Sequence, residues 1–122
     1  MILVDTSIWI DHLHSSEPRL AAHLASNLVG THPAIIEELA AGTLANRQRF
    51  LTSLSRLPAF PVMSHAEFLT LVDRHKLWGQ GLSPTDIHLI GAILLTPGST
   101  LWTRDNRLLK AARHLSHSVA DD

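Results

Sequence analysis

The chain has 122 residues, 45% of them hydrophobic, and no cysteine. That length fits one compact domain with a real core, so we expect a single domain over residues 1–122. The lack of cysteine excludes disulfides, thiolate nucleophiles and cysteine-type zinc sites, so any metal must bind oxygen or imidazole. The net charge of −1 differs from the strongly basic balance of proteins that hold nucleic acid mainly through phosphate attraction. No apolar run approaches the roughly 18 residues of a bilayer span, so we expect a soluble, cytoplasmic protein without a membrane partner.

The first half of the chain reads as short apolar strands followed by helices. Met1–Val4 is a β-compatible run that stops at Asp-Thr-Ser, three residues that favour helix N-caps. A helical pattern covers about Glu17–Leu28, and a short apolar step follows at Leu28–Thr31. Pro33 at a first helical position and Gly42 as a stop predict the next helix. A further helix is expected over Ala45–Arg56.

The second half continues the alternation. Ala59–Met63 is expected as a short strand, and Ser64 opens a helix to Trp78 with an S-x-x-E capping box. The remaining expected elements are a helix from Ser83 and Pro84 to Leu95, a strand over Ser99–Thr103, a helix over Asn106–Leu115 and a final short strand at residues 117–120. Short strands alternating with helices indicate an α/β domain with a mostly parallel sheet.

Three aspartates lie where a helix cap explains them as well as a functional site does. Asp5 and Asp105 each follow a predicted strand directly, and Asp86 fits an S-x-x-D cap with Ser83. Asp86 also lies in register with the apolar stripe of its helix, where an unpaired charge is costly and a cation would compensate it. Ligands of open parallel sheets usually bind beyond the carboxyl ends of the strands, where Asp5 and Asp105 are expected.

Glu38 has no capping explanation because it lies inside its helix, although a solvated helix face explains it equally well. Periodicity alone does not choose between Glu38 and Glu37. Four carboxylates without cysteine are the ligand chemistry of Mg²⁺ or Mn²⁺, and such ions activate water for phosphodiester hydrolysis. The set, rather than any one member, therefore suggests a metal-dependent hydrolase of phosphodiesters.

Four segments resemble the motifs of PIN-domain toxins of the VapC type. They are MILVDTSIWIDHL at the start, PAIIEELAAG at 33–42, GLSPTDIHLIGAILL at 81–95 and LWTRDNRLLKAA at 101–112. Each is short, but four in order span nearly the whole chain. The resemblance implies a three-layer α/β/α PIN fold with four or five strands in the order 3-2-1-4-5. It also implies an endoribonuclease that depends on Mg²⁺, or Mn²⁺, and is neutralised by a VapB-type antitoxin.

Carried over by position, the resemblance implies an acidic quartet of Asp5, Glu38, Asp86 and Asp105, and it selects Glu38 over Glu37. It also suggests supporting hydroxyls, which are those of Thr6, Ser7 and Thr103. The resemblance further implies a homodimer, which forms a heterotetramer or larger complex with the antitoxin. It also implies that operator DNA is contacted only through the antitoxin.

Basic residues near the last helix are candidates for RNA phosphate contact, with a solvated basic face as the alternative. They are Arg104, Arg107 and Lys110. Nine histidines show no metal-ligand spacing, and the three tryptophans are more simply packing residues than base-stacking ones. Two other functions remain open, a binding module without activity and another Mg²⁺-dependent phosphoryl hydrolase, whose usual D-x-D motif is absent at Asp5.

Overall fold

The computed structural model describes residues 1–115 and 119–122. In chain order the strands and helices are β1 (Ile2–Val4), α1 (Thr6–His14), α2 (Pro18–Ala25), β2 (Val29–Gly30), α3 (Pro33–Ala40), α4 (Arg47–Ser55), α5 (His65–His75), α6 (Pro84–Leu94), β3 (Thr100–Trp102) and α7 (Asn106–Leu115). A parallel sheet flanked by helices confirms the predicted α/β class. Within the described residues no helix is long and apolar enough to cross a bilayer.

The sheet has three parallel strands in the order β2-β1-β3. Leu3 and Val4 of the central strand are fully buried, as expected for a strand covered by other elements. In β1 the Leu3 position faces Gly30 on one side and Leu101 on the other, so the ends of β1 and β3 lie side by side. Because β1 and β3 are parallel neighbours, the residues that follow both strands lie together at the carboxyl-terminal edge of the sheet.

The prediction of four or five strands is wrong for the described part of the chain, which has three. Ala59 forms one isolated parallel bridge with Thr31, and the next residue of that segment able to face it, Pro33, has no N–H to donate and begins α3. On the other side Val119 makes one bridge with Leu101, while residues 117 and 118 of the expected last strand lie outside the described residues. The five-strand order therefore stays a prediction in its outer positions.

Helix boundaries follow local signals. Ser64 and Glu67 exchange both hydrogen bonds of the predicted capping box, which is thereby confirmed. The helix ends at His75 rather than at Trp78, because Lys76 adopts a left-handed conformation with φ of 55°. Similarly, α2 ends at Ala25 and not at Leu28, with Asn27 in the left-handed region just beyond it.

The core lies between the sheet and its helices and is built largely of aliphatic side chains. Helix α6 contributes six buried residues, among them Leu89, Ile90 and Ile93, and packs on α3, α5 and β3. Trp9 meets Phe50 edge to face at 5.9 Å, which fixes α1 against α4. Because α6 is held by three elements, its first turn is placed rigidly beside the edge of the sheet.

Candidate active site

Asp5 is buried at the end of β1, with 5% of its surface exposed. It is the N-cap residue of α1, but its side chain makes no cap hydrogen bond. Its Oδ2 atom instead accepts hydrogen bonds from Thr103 Oγ1 at 2.6 Å and from Ser7 Oγ at 2.9 Å. The capping explanation of Asp5 therefore does not hold, and two hydroxyls orient its carboxylate.

Those two hydroxyls are themselves positioned by the backbone after β3. Ser7 Oγ accepts from the Arg104 amide at 3.1 Å, and Thr103 Oγ1 accepts from the Asp105 amide at 3.0 Å. Each hydroxyl donates to Asp5 and accepts from an amide, so the network is chemically complete. It ties the end of β1 to the end of β3.

Thr6 does not join this network, although it is buried next to it. Its Oγ1 atom has no hydrogen-bond partner among residues 1–115 and 119–122. Of the three supporting hydroxyls suggested by the sequence, the structure brings Ser7 and Thr103 to Asp5 and leaves Thr6 apart.

Asp105 and Asp86 both act as helix caps. Asp105 Oδ1 accepts from the amides of Arg107 and Leu108 at 2.9 and 3.1 Å at the start of α7. Asp86 Oδ2 accepts from the Ser83 amide at 2.9 Å, and Ser83 Oγ accepts from the Asp86 amide at 3.1 Å. The caps expected from the sequence are thus present, and each uses one carboxylate oxygen.

The three aspartates share one electrostatic environment. Burial raises the pKa of Asp86, the bonds from Ser83 partly offset this, and the negative charges of Asp105 and Asp5 raise it further. Asp86 is therefore close enough to both carboxylates to feel them. Negative charge is assembled here, and within residues 1–115 and 119–122 none of the three aspartates forms an ion pair with a lysine, arginine or histidine.

Glu38 lies exposed on α3, the helix that packs on α6. Within the described residues its side chain makes no hydrogen bond or ion pair, and neighbouring Glu37 is exposed as well. The structure thus puts Glu38 on the helix beside the aspartates without joining it to them.

The donor set suits a hard divalent cation, because every candidate ligand is a carboxylate oxygen and the aspartates repel one another. Across the described residues, however, no three acidic or histidine side chains converge closely enough to form a ready-made ion site. The residues fit Mg²⁺ or Mn²⁺ in chemistry, because one carboxylate oxygen of each aspartate accepts no hydrogen bond from a described residue.

The family model described as PIN domain matches residues 2–114 of this chain. The chain belongs to the PIN-domain family. Similar proteins include ribonuclease VapC32 of Mycobacterium tuberculosis, from strain CDC 1551 / Oshkosh and from strain ATCC 25618 / H37Rv. Each is 45% identical over 122 residues, which cover all of this chain and 98% of the relative. The VapC-type resemblance found in the four motifs is confirmed.

Arg104 of this PIN domain is surrounded by carboxylates. Its guanidinium donates to Asp11 at 2.7 Å, to Glu17 at 2.7 Å and to both oxygens of Asp122 at 2.7 and 2.9 Å. These bonds raise the pKa of Arg104 and lower the pKa of Glu17 and Asp122. The sequence offers Arg104 as a candidate for phosphate contact; the structure pairs its guanidinium with three carboxylates, and its role toward RNA stays a prediction.

The other two basic candidates are exposed on α7. The Arg107 side chain covers Gly81, where an added Cβ would lie 2.8 Å from Nη1. Lys110 borders an open cavity of about 600 Å³ that also touches Lys76 and His114. Both remain available to RNA, and their role stays a prediction.

A buried histidine, His32, which lies next to the partly exposed His88, was not predicted from the sequence. His32 is 1% exposed and caps α3, because its Nδ1 accepts from the Ala34 amide at 2.9 Å. Its ring centroid lies 5.7 Å from that of His88 on α6. Burial, and secondarily the charge of His88, lower the pKa of His32 to about 4. The sequence signal was the position of His32 directly before Pro33, where N-cap residues occur.

Proposed function

We propose that this chain is a VapC-type toxin, an endoribonuclease that hydrolyses RNA phosphodiester bonds with Mg²⁺ or Mn²⁺. The observation that carries the proposal is the buried Asp5 carboxylate, held by Ser7 and Thr103 and sharing its environment with Asp86 and Asp105. The 45% identity to proteins named ribonuclease supports it along the full chain.

In this proposal the ion would be held by Asp5, Asp86 and Asp105, with Glu38 as the fourth carboxylate. Such an ion supplies positive charge opposite the cleaved phosphate and favours ionisation of a water. Ser7 and Thr103 hold Asp5 Oδ2 in place, so the Asp5 side chain is already ordered before the ion binds. It would therefore lose little conformational entropy when Oδ1 acts as a ligand. Asp86 and Asp105 each use one oxygen in a cap, so the other oxygen of each would be the ligand.

The partners follow from the same relationship. RNA is the proposed substrate, and a VapB-type antitoxin is the proposed inhibitor. We propose a homodimer that forms a heterotetramer or larger complex with the antitoxin, with operator DNA bound only through the antitoxin.

The test is cleavage of defined RNAs by the purified protein, with EDTA, Mg²⁺ or Mn²⁺. Asp5→Asn should lower the rate by more than about 100-fold, above the roughly 10- to 100-fold range typical of outer-shell partners. Glu38→Gln and Glu37→Gln form a matched pair on one exposed helix, and only Glu38→Gln should impair cleavage. Metal-independent cleavage, or full activity of Asp5→Asn, would refute the mechanism.

A further inference from the structure

The Asp122 carboxylate lies near the Asp5 network and is surrounded by two arginines and a tryptophan. Arg104 donates to it through Nε and Nη2, a two-pronged arrangement at 2.7 and 2.9 Å. Trp102 Nε1 donates to the same carboxylate at 3.1 Å, and Arg19 Nη1 lies 3.8 Å from it. We name Arg19, Trp102 and Arg104 the arginine subsite.

The arginine subsite is held by groups other than Asp122. Trp102 is 1% exposed, so its indole N–H is fixed by the core. Asp11 and Glu17 each bind Arg104 at 2.7 Å and hold its guanidinium from another side. The Arg19 guanidinium stacks 4.9 Å above the Trp102 ring. The subsite would therefore keep its shape if the Asp122 side chain moved away.

The chemistry of this subsite matches a phosphodiester. A carboxylate and a phosphodiester each carry one negative charge and present two oxygens to the fork of a guanidinium. Replacing one by the other leaves the charge balance with Asp11 and Glu17 unchanged. Both anions also accept the hydrogen bond of an indole N–H.

The position also fits a strand of RNA. Arg104 lies between Thr103 and Asp105 in sequence, and its backbone amide binds the Ser7 hydroxyl that orients Asp5. An RNA chain whose cleaved phosphate faces Asp5 would carry a neighbouring phosphate past Arg104.

We propose that the arginine subsite binds an RNA backbone phosphate adjacent to the cleaved one, and that the Asp122 side chain fills it when no RNA is bound. The proposal rests on the proposed ribonuclease function, because it names a contact of the same substrate. Asp122 then acts as an internal competitor, and the apparent RNA affinity is reduced by the fraction of molecules in which it occupies the subsite.

The test compares Asp122→Ala with Asp121→Ala, two variants with the same charge change. The Asp121 side chain makes no hydrogen bond to any described residue, so it is the matched control. Binding of a fluorescent single-stranded oligoribonucleotide is measured by anisotropy in EDTA. Asp122→Ala should lower Kd about fivefold, because the competing carboxylate is removed, and should leave the slope of log Kd against log salt close to that of the wild type, because the same phosphate contact forms in both. Asp121→Ala should change Kd by less than about twofold. Equal effects in both variants would overturn the proposal.

Two further measurements keep the test decisive. Arg19→Met combined with Asp122→Ala should cancel the gain in affinity. In the wild type, saturating RNA should shift the indole N–H resonance of Trp102, assigned with Trp102→Phe, while that of Trp9 serves as the reference. An unchanged Trp102 resonance would refute the proposal even if Asp122→Ala failed to fold.

The outcome also separates this proposal from the proposed function. Tighter RNA binding by Asp122→Ala, without cleavage by the wild type in Mg²⁺ or Mn²⁺, would retain the subsite and reject the ribonuclease. Cleavage by the wild type, with equal binding by both alanine variants, would retain the ribonuclease and reject the subsite.

Discussion

We predict that acidification destabilises the fold through His32, the buried imidazole that caps α3. Its pKa falls from the ordinary 6.5 to about 4 because the protonated form loses hydration and faces His88. The unfolded chain therefore binds a proton more readily than the folded protein. The stability contribution is fully present above pH 6.5 and is lost as the pH falls toward 4.

The difference of about 2.5 between the two pKa values corresponds to an upper limit of about 3 kcal/mol. Between pH 7.5 and pH 5 the expected loss from His32 alone is about 2 kcal/mol. Urea unfolding across this range, followed by circular dichroism, measures it. His32→Asn keeps an N-cap acceptor for the Ala34 amide and removes the titration.

The variant should lose about 2 kcal/mol less than the wild type over the same interval, whereas His65→Asn, at an exposed histidine, should follow the wild type. Parallel curves for the wild type and His32→Asn would refute the assignment. Protonation of His32 would also affect the candidate site, because it places a positive charge between α3 and α6, the helices that carry Glu38 and Asp86.

Three further predictions concern the site and its scaffold. Asp86→Asn keeps the cap with Ser83 but removes a carboxylate whose pKa is raised, and a carboxylate of this kind lowers the stability of the fold when the pH is above its pKa. The variant should therefore have a higher Tm than the wild type in EDTA at pH 7, and Mg²⁺ should no longer raise its Tm. A Mg²⁺-induced rise in Tm equal to that of the wild type would contradict this prediction. Thr103→Val removes a buried hydrogen-bond donor to Asp5 and should lower the free energy of unfolding, measured in urea, by about 2 kcal/mol. Thr103→Ser keeps the hydroxyl and is the control, so equal stability of the two variants would contradict the prediction. Gly30→Ala places a Cβ 2.4 Å from the Phe60 ring and should lower the free energy of unfolding by about 1 to 3 kcal/mol. An unchanged Tm in calorimetry would contradict this prediction.

The element order was predictable because its signals are local. An apolar run followed by Asp-Thr-Ser marked β1 and the start of α1, and the capping boxes at Ser64 and Ser83 marked α5 and α6. The strand expected at 59–63 is reduced to one bridge, because the facing segment ends at Pro33, which has no N–H and begins α3. Local sequence thus predicts where helices begin better than how far a ladder extends.

The site was predictable to a lesser degree. That Asp5 meets Thr103 depends on β1 and β3 being neighbours, which only the family resemblance implied. The engagement of Arg104 with Asp11, Glu17 and Asp122 was out of reach, because it joins both ends of the chain and no spacing encodes it. The uneven charge, acidic in residues 1–40 and basic in 104–113, was the one signal of this contact.

Asp86 and Asp105 can cap a helix and still offer an oxygen to a metal ion, because each cap uses one carboxylate oxygen. Asp5 stands at the start of α1, Asp86 in the first turn of α6 and Asp105 directly before α7. A helix N-terminus carries about half a positive charge, which lowers the cost of bringing carboxylates together. Three such termini around one edge of a sheet lower the cost of folding with the negative cluster assembled. Burial first, and then the negative charges of Asp105 and Asp5, raise the pKa of Asp86, so repulsion between the carboxylates persists. In the proposed ribonuclease a divalent cation would neutralise this charge, and the helices that make the cluster tolerable without an ion would also place it to bind one.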